Sequence, residues 1–331
     1  MDEDIREVQH FGTILRAYDN YRAWALRKVA RLESDYARLT EQHRKILRTA
    51  EKLAAMRSAI EQNASVIARL VEPHRNHVGS DVMHMFVLAD DGRGGMRAVS
   101  AASSDYIPDS DMEKVQSTLK QFVREWGAEG EKERNEAHEP LIEALRTALP
   151  PERNRGARVL LPGAGLGRLT WEVACLGYQA QGCEFSYFML LASNFIMNSL
   201  GEDSVTIHPW VRPALVPSVH PTALEDGGNL SICAGDFLEY IERIAEMLVP
   251  GSVWINIGPL LWHWYDMSNE VSVEITWEEL RALIIWYGFV IEREEWRRCG
   301  YTNNPASMYK MEYDCIFFVA RLPLEAKVGQ P

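Results

Sequence analysis

Residues 160–173, LLPGAGLGRLTWEV, set three glycines at alternate positions directly after a short apolar run, and no other stretch limits the fold as strongly. A strand, a glycine turn and an amphipathic helix in that order bring backbone close to a ligand at a helix N-terminus. Gly163, Gly165 and Gly167 remove the Cβ atoms that would block such an approach. Taken alone, the turn also fits plain strand–helix packing.

Two further features stand in register with it. Glu184 closes the next apolar run about twenty residues after Gly163, where a carboxylate can accept both hydroxyls of a ribose. Asp236, in AGDF (234–237), can accept from an adenine amino group while Phe237 packs on the ring. Each has a plain alternative as a solvated strand end, but together they point to an adenosine-containing ligand. NAD and S-adenosylmethionine both satisfy this frame. The chain's GxGxG spacing and the antiparallel hairpin read from GFVIEREEWRR (288–298) and YDCIFFVARL (313–322) favour a class I methyltransferase.

The rest of the chain supplies a frame for such a site. Apolar residues recur at helical spacing from Ile5 to Leu39, and Thr40 caps a second helix that runs to Pro73, giving an antiparallel pair. ADDGRGG (89–95) reads as a loop, and SDME (110–113) as a capping box opening a helix that carries Met112, Val115, Leu119, Phe122 and Trp126. An acidic helical stretch follows to residue 150. From about residue 157 short apolar runs alternate with helices, the pattern of a parallel sheet with crossovers, with strands near 158–161, 179–184, 230–235, 253–258, 289–296 and 315–322. The Pro-rich segment 208–229 reads as a loop. The expected fold is α/β, a Rossmann-like methyltransferase sheet (146–331) behind an N-terminal all-helical domain (1–145).

At 331 residues and 47% hydrophobic, the chain is long enough for two domains. A net charge of −12 does not predict attraction to nucleic acid or an anionic membrane. Five scattered cysteines without CxxC spacing argue against a disulfide framework or a zinc site and for a reducing compartment, cytosolic with a nuclear share allowed. No run is long enough to span a bilayer, and the acidic N-terminus is unlike a signal peptide. There is no Ser-His-Asp set and no GK[ST] loop. A homodimer is compatible with the sequence.

LLPGAGLGRLTWEVACLGYQAQGCEFSYFMLLASNFIMN, AGDF, WINIGPLLWHW and YDCIFFVARL, with STLKQFVREW upstream, closely resemble the carnosine N-methyltransferase family over roughly residues 1–322. The resemblance implies methyl transfer from S-adenosylmethionine to an imidazole nitrogen of carnosine, giving anserine. It matches Gln121 and Arg124 to a pair that the N-terminal domain contributes around the cofactor's methionine end. It matches Gly163 to the glycine-turn contact, Glu184 to the ribose acid, and Asp236 with Phe237 to the adenine contacts. His263 and Tyr313 match positions enclosing the imidazole dipeptide. From pattern alone, Gln121 and Arg124 lie opposite an apolar stripe and read as solvated; His263 and Tyr313 read as aromatic packing residues.

The sequence departs from the family after AGDF. Class I methyltransferases have a fourth strand there, then a helix, a PG turn and the fifth strand; here only Leu238 to Leu248 separate Phe237 from Val249, enough for the helix alone. In the family that strand carries an acid bonded to the substrate imidazole and lies beside the first strand. Its loss leaves two outcomes: strand 253–258 moves beside 158–161, or a gap persists. It also leaves open a cofactor-binding protein that has lost turnover and acts through a partner, and, less well, an NAD oxidoreductase.

Overall fold

A computed structural model describes residues 2–75, 87–90, 96–99, 107–200, 204–209, 214–217, 229–234, 240–259, 275–303 and 307–324. In chain order the elements are α1 (Asp2–Ala37), α2 (Glu41–Ile46), α3 (Thr49–Val71), β1 (Val87–Asp90), β2 (Met96–Val99), α4 (Asp109–Trp126), α5 (Glu131–Ala148), β3 (Arg158–Pro162), α6 (Arg168–Cys175), β4 (Gln179–Glu184), α7 (Tyr187–Asn194), β5 (Val205–Ile207), β6 (Ala214–Val216), β7 (Asn229–Ala234), α8 (Tyr240–Met247), β8 (Val253–Gly258), α9 (Trp277–Trp286), β9 (Val290–Gly300) and β10 (Glu312–Arg321). They fall into two compact units, residues 1–128 with 186–221, and 129–185 with 222–331.

The first unit is largely helical. Tyr18, Tyr21, Ala25 and Val29 of α1, with Ile67 and Leu70 of α3 and Leu119 and Phe122 of α4, are buried at the helical spacing seen in the sequence. The chain's return as α7 is fixed by the Tyr18 hydroxyl, which donates to the Phe188 carbonyl at 2.7 Å. Several local expectations are corrected here. Thr40 does cap a helix, accepting from the His43 N–H at 3.2 Å, but that helix stops at Ile46, and Arg48 with φ of 52° separates it from α3. The capping box at 110–113 does not form. Pro108 fixes an extended residue just before α4, so Asp109 begins the helix and Ser110 lies inside its first turn. Residues 89–90 belong to β1, which pairs with β2 as a hairpin, and Ala214–Val216 of the Pro-rich segment pair with β5.

The second unit is the α/β part, its sheet in two pieces. β4 lies between β3 and β7, parallel to both; β10 lies between β8 and β9, antiparallel to both. Of the two outcomes open to a chain without a fourth strand, the described residues show the gap: no ladder joins β3 to β8. Burial reflects this. From Cys315 to Ala320, β10 is buried on both faces, its Phe317 and Val319 under Ala144 of α5, and Ile316, Phe318 and Ala320 under Ile244, Trp277 and Ile284 of α8 and α9. β3, central in an intact sheet, instead alternates, with Val159 and Leu161 half-buried and Leu160 38% exposed. Ile255 of β8 packs against the same cluster as Val159 and Leu161, so the two strands share a core without sharing hydrogen bonds.

All five cysteines are free thiols. Among the described residues, no helix is long and apolar enough to cross a membrane and no side-chain group is arranged to hold a metal ion.

Candidate cofactor and substrate site

The glycine turn is built by backbone conformation. Gly163, Gly165 and Gly167 have φ of 68°, 57° and 82°, the left-handed region in which other residues are strained. A Cβ on Gly163 would meet nothing within 4 Å, so here it is the dihedral that requires glycine. The turn is pinned to β4 by the Ala164 N–H, which donates to the Cys183 carbonyl at 2.9 Å, and by the Gly165 N–H, which donates to Glu184 Oε2 at 2.7 Å. That bond aims the Glu184 carboxylate along the mouth of the turn. A carboxylate has about four acceptor positions, so ribose hydroxyls can share it.

Gly182 was not singled out in the sequence, yet it sets how closely the turn approaches. A Cβ there would stand 2.7 Å from Ala164 Cβ and 2.9 Å from Thr170 Oγ1. The helix after the turn is fixed by a second group that pattern reading missed. Glu172 accepts from Arg168 Nε at 2.7 Å and lies 3.0 Å from His138 Nδ1, while the Arg168 guanidinium covers the Trp171 ring at 4.9 Å. Burial pushes the Glu172 carboxyl up, but the hydrogen bonds and charges of His138 and Arg168 outweigh it and hold the carboxyl below its ordinary range.

Tyr313 lies near the start of β10 in this same unit. Its hydroxyl donates to Met311 Sδ at 3.3 Å and its ring meets Tyr301 edge-on with centroids 5.8 Å apart. Gln121 and Arg124 lie on α4 in the first unit. Gln121 is buried at 5% exposure and Arg124 half-buried, which corrects the solvated face that helical pattern alone suggests; the last turns of α4 are enclosed on nearly all sides. Their side chains meet through Arg124 Nη1 and Gln121 Oε1 at 3.4 Å. Asp236, Phe237 and His263 lie outside the described residues.

The sequence model of the family described as carnosine N-methyltransferase matches residues 102–240 and 232–324. A mouse carnosine N-methyltransferase is 35% identical over 365 residues, covering 97% of this chain and 88% of that protein. This chain belongs to the carnosine N-methyltransferase family. A rat carnosine N-methyltransferase is 34% identical with the same coverage. A solved SAM-dependent methyltransferase from Methanosarcina mazei, 14% identical, covers 56% of this chain and 98% of its own, with a TM-score of 0.37. Membership makes the protein an enzyme, a methyltransferase, and the residues present fit S-adenosylmethionine: a left-handed glycine cradle with an acid anchored to it.

The carnosine N-methyltransferases are also longer than this chain over the matched stretch. The mouse alignment, at 365 residues, is longer than this whole chain, so the relative carries residues with no counterpart here. The two stretches matched by the family overlap at 232–240, from the end of β7 to the start of α8, the part of the chain whose sequence leaves room for a helix alone.

Proposed function

We propose that the protein methylates an imidazole nitrogen of carnosine, giving anserine, with related histidine-containing peptides as further substrates. The observation carrying this reading is that the family match spans both the glycine turn with its anchored Glu184 and the strand that bears Tyr313. When bound, S-adenosylmethionine supplies a methyl group on a sulfonium, open to in-line displacement. Glu184 accepts the ribose hydroxyls, and Asp236 with Phe237 receives the adenine. Gln121 and Arg124, by the family resemblance, serve the methionine end. His263 and Tyr313 hold the imidazole, fixing its tautomer and aiming one nitrogen.

Imidazole has an unperturbed pKa of about 6.5, so most of it is neutral at pH 7 and needs orientation more than a base. The nitrogen lone pair forms the new N–CH3 bond as the sulfonium C–S bond breaks, and the proton on the other ring nitrogen then leaves. The free thiols and acidic charge support a cytosolic enzyme with a nuclear share. The test is calorimetric titration with S-adenosylhomocysteine, followed by a carnosine turnover assay read by mass. Cofactor binding with anserine formation is expected; binding without any methylated product overturns the reading.

A further inference from the structure

The end of β9 and the loop after it are held by carboxylates of α5, reached across about half the chain. Glu133 Oε1 accepts from the Thr302 N–H at 2.7 Å and its Oε2 from the Asn303 N–H at 3.0 Å; Glu136 Oε2 accepts from the Gly300 N–H at 3.0 Å. Thr302 has φ of 46°, a left-handed conformation that a β-branched residue adopts only when its surroundings compel it. That turn points two successive N–H groups at one carboxylate, the arrangement of an anion nest. Acidic residues in a helix's first turn commonly serve only the helix dipole. Here the first-turn Glu133 is taken up by the loop.

The hold passes on. Asn303 donates through Nδ2 to the Met311 carbonyl at 2.8 Å and accepts through Oδ1 from the Met311 N–H at 2.6 Å, so one amide clamps both backbone groups of a single residue. Met311 Sδ in turn accepts from the Tyr313 hydroxyl, and Tyr301, inside the clamped loop, sets its ring against Tyr313. Strand alternation puts Tyr313 on the face of β10 shared by Phe317 and Val319, the face that α5 covers. One helix therefore supports both the sheet beneath Tyr313 and the loop beside it.

We infer that Glu133 is a positioning residue for substrate: through Asn303 and Met311 it sets where the Tyr313 hydroxyl and ring stand. This rests on the reading that Tyr313 encloses the imidazole. The full chain and its Glu133→Ala, Tyr313→Phe and double variants are titrated calorimetrically with carnosine in saturating S-adenosylhomocysteine, and separately with S-adenosylhomocysteine alone. Glu133→Ala is expected to weaken carnosine by about tenfold while cofactor affinity stays within about twofold, and the double variant is expected to bind no more weakly than the weaker single one. Glu133→Ala with the parent's carnosine affinity, effects that multiply in the double variant, or cofactor affinity falling in step would each overturn the inference and leave the Tyr313 reading standing. A Tyr313→Phe variant unchanged for carnosine, or a parent chain that binds none, overturns that reading and the inference with it. If Glu133→Ala does not fold, Glu133→Gln, of equal volume with one acceptor oxygen left, takes its place in the same cycle.

Discussion

The Gly165 N–H, in the turn after β3, and the Glu184 carboxylate, at the end of the neighbouring parallel strand β4, are joined at 2.7 Å, so the turn and the acid of the proposed cofactor site form one unit. Glu184→Ala then removes two things, the proposed ribose acceptor and the anchor of the turn. S-adenosylhomocysteine affinity is expected to fall by about 1–3 kcal/mol. Glu184→Gln, which retains an acceptor oxygen for Gly165, is expected to lose less. Equal losses in calorimetry would place the effect on charge alone.

Gly182→Ala tests the approach of turn to strand. The added Cβ meets Ala164 Cβ at 2.7 Å and Thr170 Oγ1 at 2.9 Å, distances that force backbone or the buried first turn of α6 to move. Overpacking of this kind costs about 1–3 kcal/mol. Urea unfolding should show that loss, and cofactor affinity should fall with it because the part displaced is the cradle. Gly163→Ala meets no atom but retains the dihedral strain, so it is expected to cost about 1 kcal/mol.

Glu172 makes stability depend on pH. Its folded-state carboxyl is held below its unfolded value, so it stabilises the fold above the unfolded value, and that contribution is lost as pH falls through the folded one. Glu172→Gln is expected to cost about 2 kcal/mol at pH 7, and less as pH is lowered through the carboxylate range. Urea midpoints of the two proteins measured from pH 7 down to 3 should converge. Midpoints that stay parallel would remove Glu172 as a source of acid sensitivity.

What the sequence made legible follows from how local each signal is. The glycine turn, Glu184 and the strands at 158–162, 179–184 and 253–258 were readable because an apolar run, a glycine spacing and a strand end sit within a few residues of one another. Gly182 was not, because its need for glycine comes from Ala164 and Thr170 on other elements. Gln121 looked solvated because helical pattern counts neighbours along α4, while its cover comes from outside the helix. Glu133 and Glu136 sit in a charge run that reads as a wet surface, and their partners, Gly300, Thr302 and Asn303, lie far along the chain. The acidic residues at 129–136 carry no periodic mark of that role.

The gap between β3 and β8 divides the molecule by function. The turn, Glu184 and β7 belong to the parallel trio, in which β4 is paired along both edges; β8, which leads toward His263, belongs to the antiparallel trio on the far side of the gap. Cofactor binding should therefore be retained better than turnover, since a misplacement near 1 Å at the reacting atoms can cost about a hundredfold in rate. The β3 edge that no described strand pairs, with Leu160 38% exposed, should show amides that exchange with solvent faster than those of β4, which is paired on both sides. Inserting a relative's residues between β7 and α8, where the two family matches overlap at 232–240, is designed to supply a strand for both edges and the acid that the resemblance assigns to it. The insertion is expected to slow exchange along β3, to raise the urea midpoint, and to increase anserine formation by at least about tenfold, equivalent to about 1.4 kcal/mol of barrier. S-adenosylhomocysteine affinity is expected to change little. If the chain as it stands already methylates carnosine as fast as the extended version, the two separate trios do not limit catalysis, and β8 holds its site residues in place with β10 as its one described neighbour.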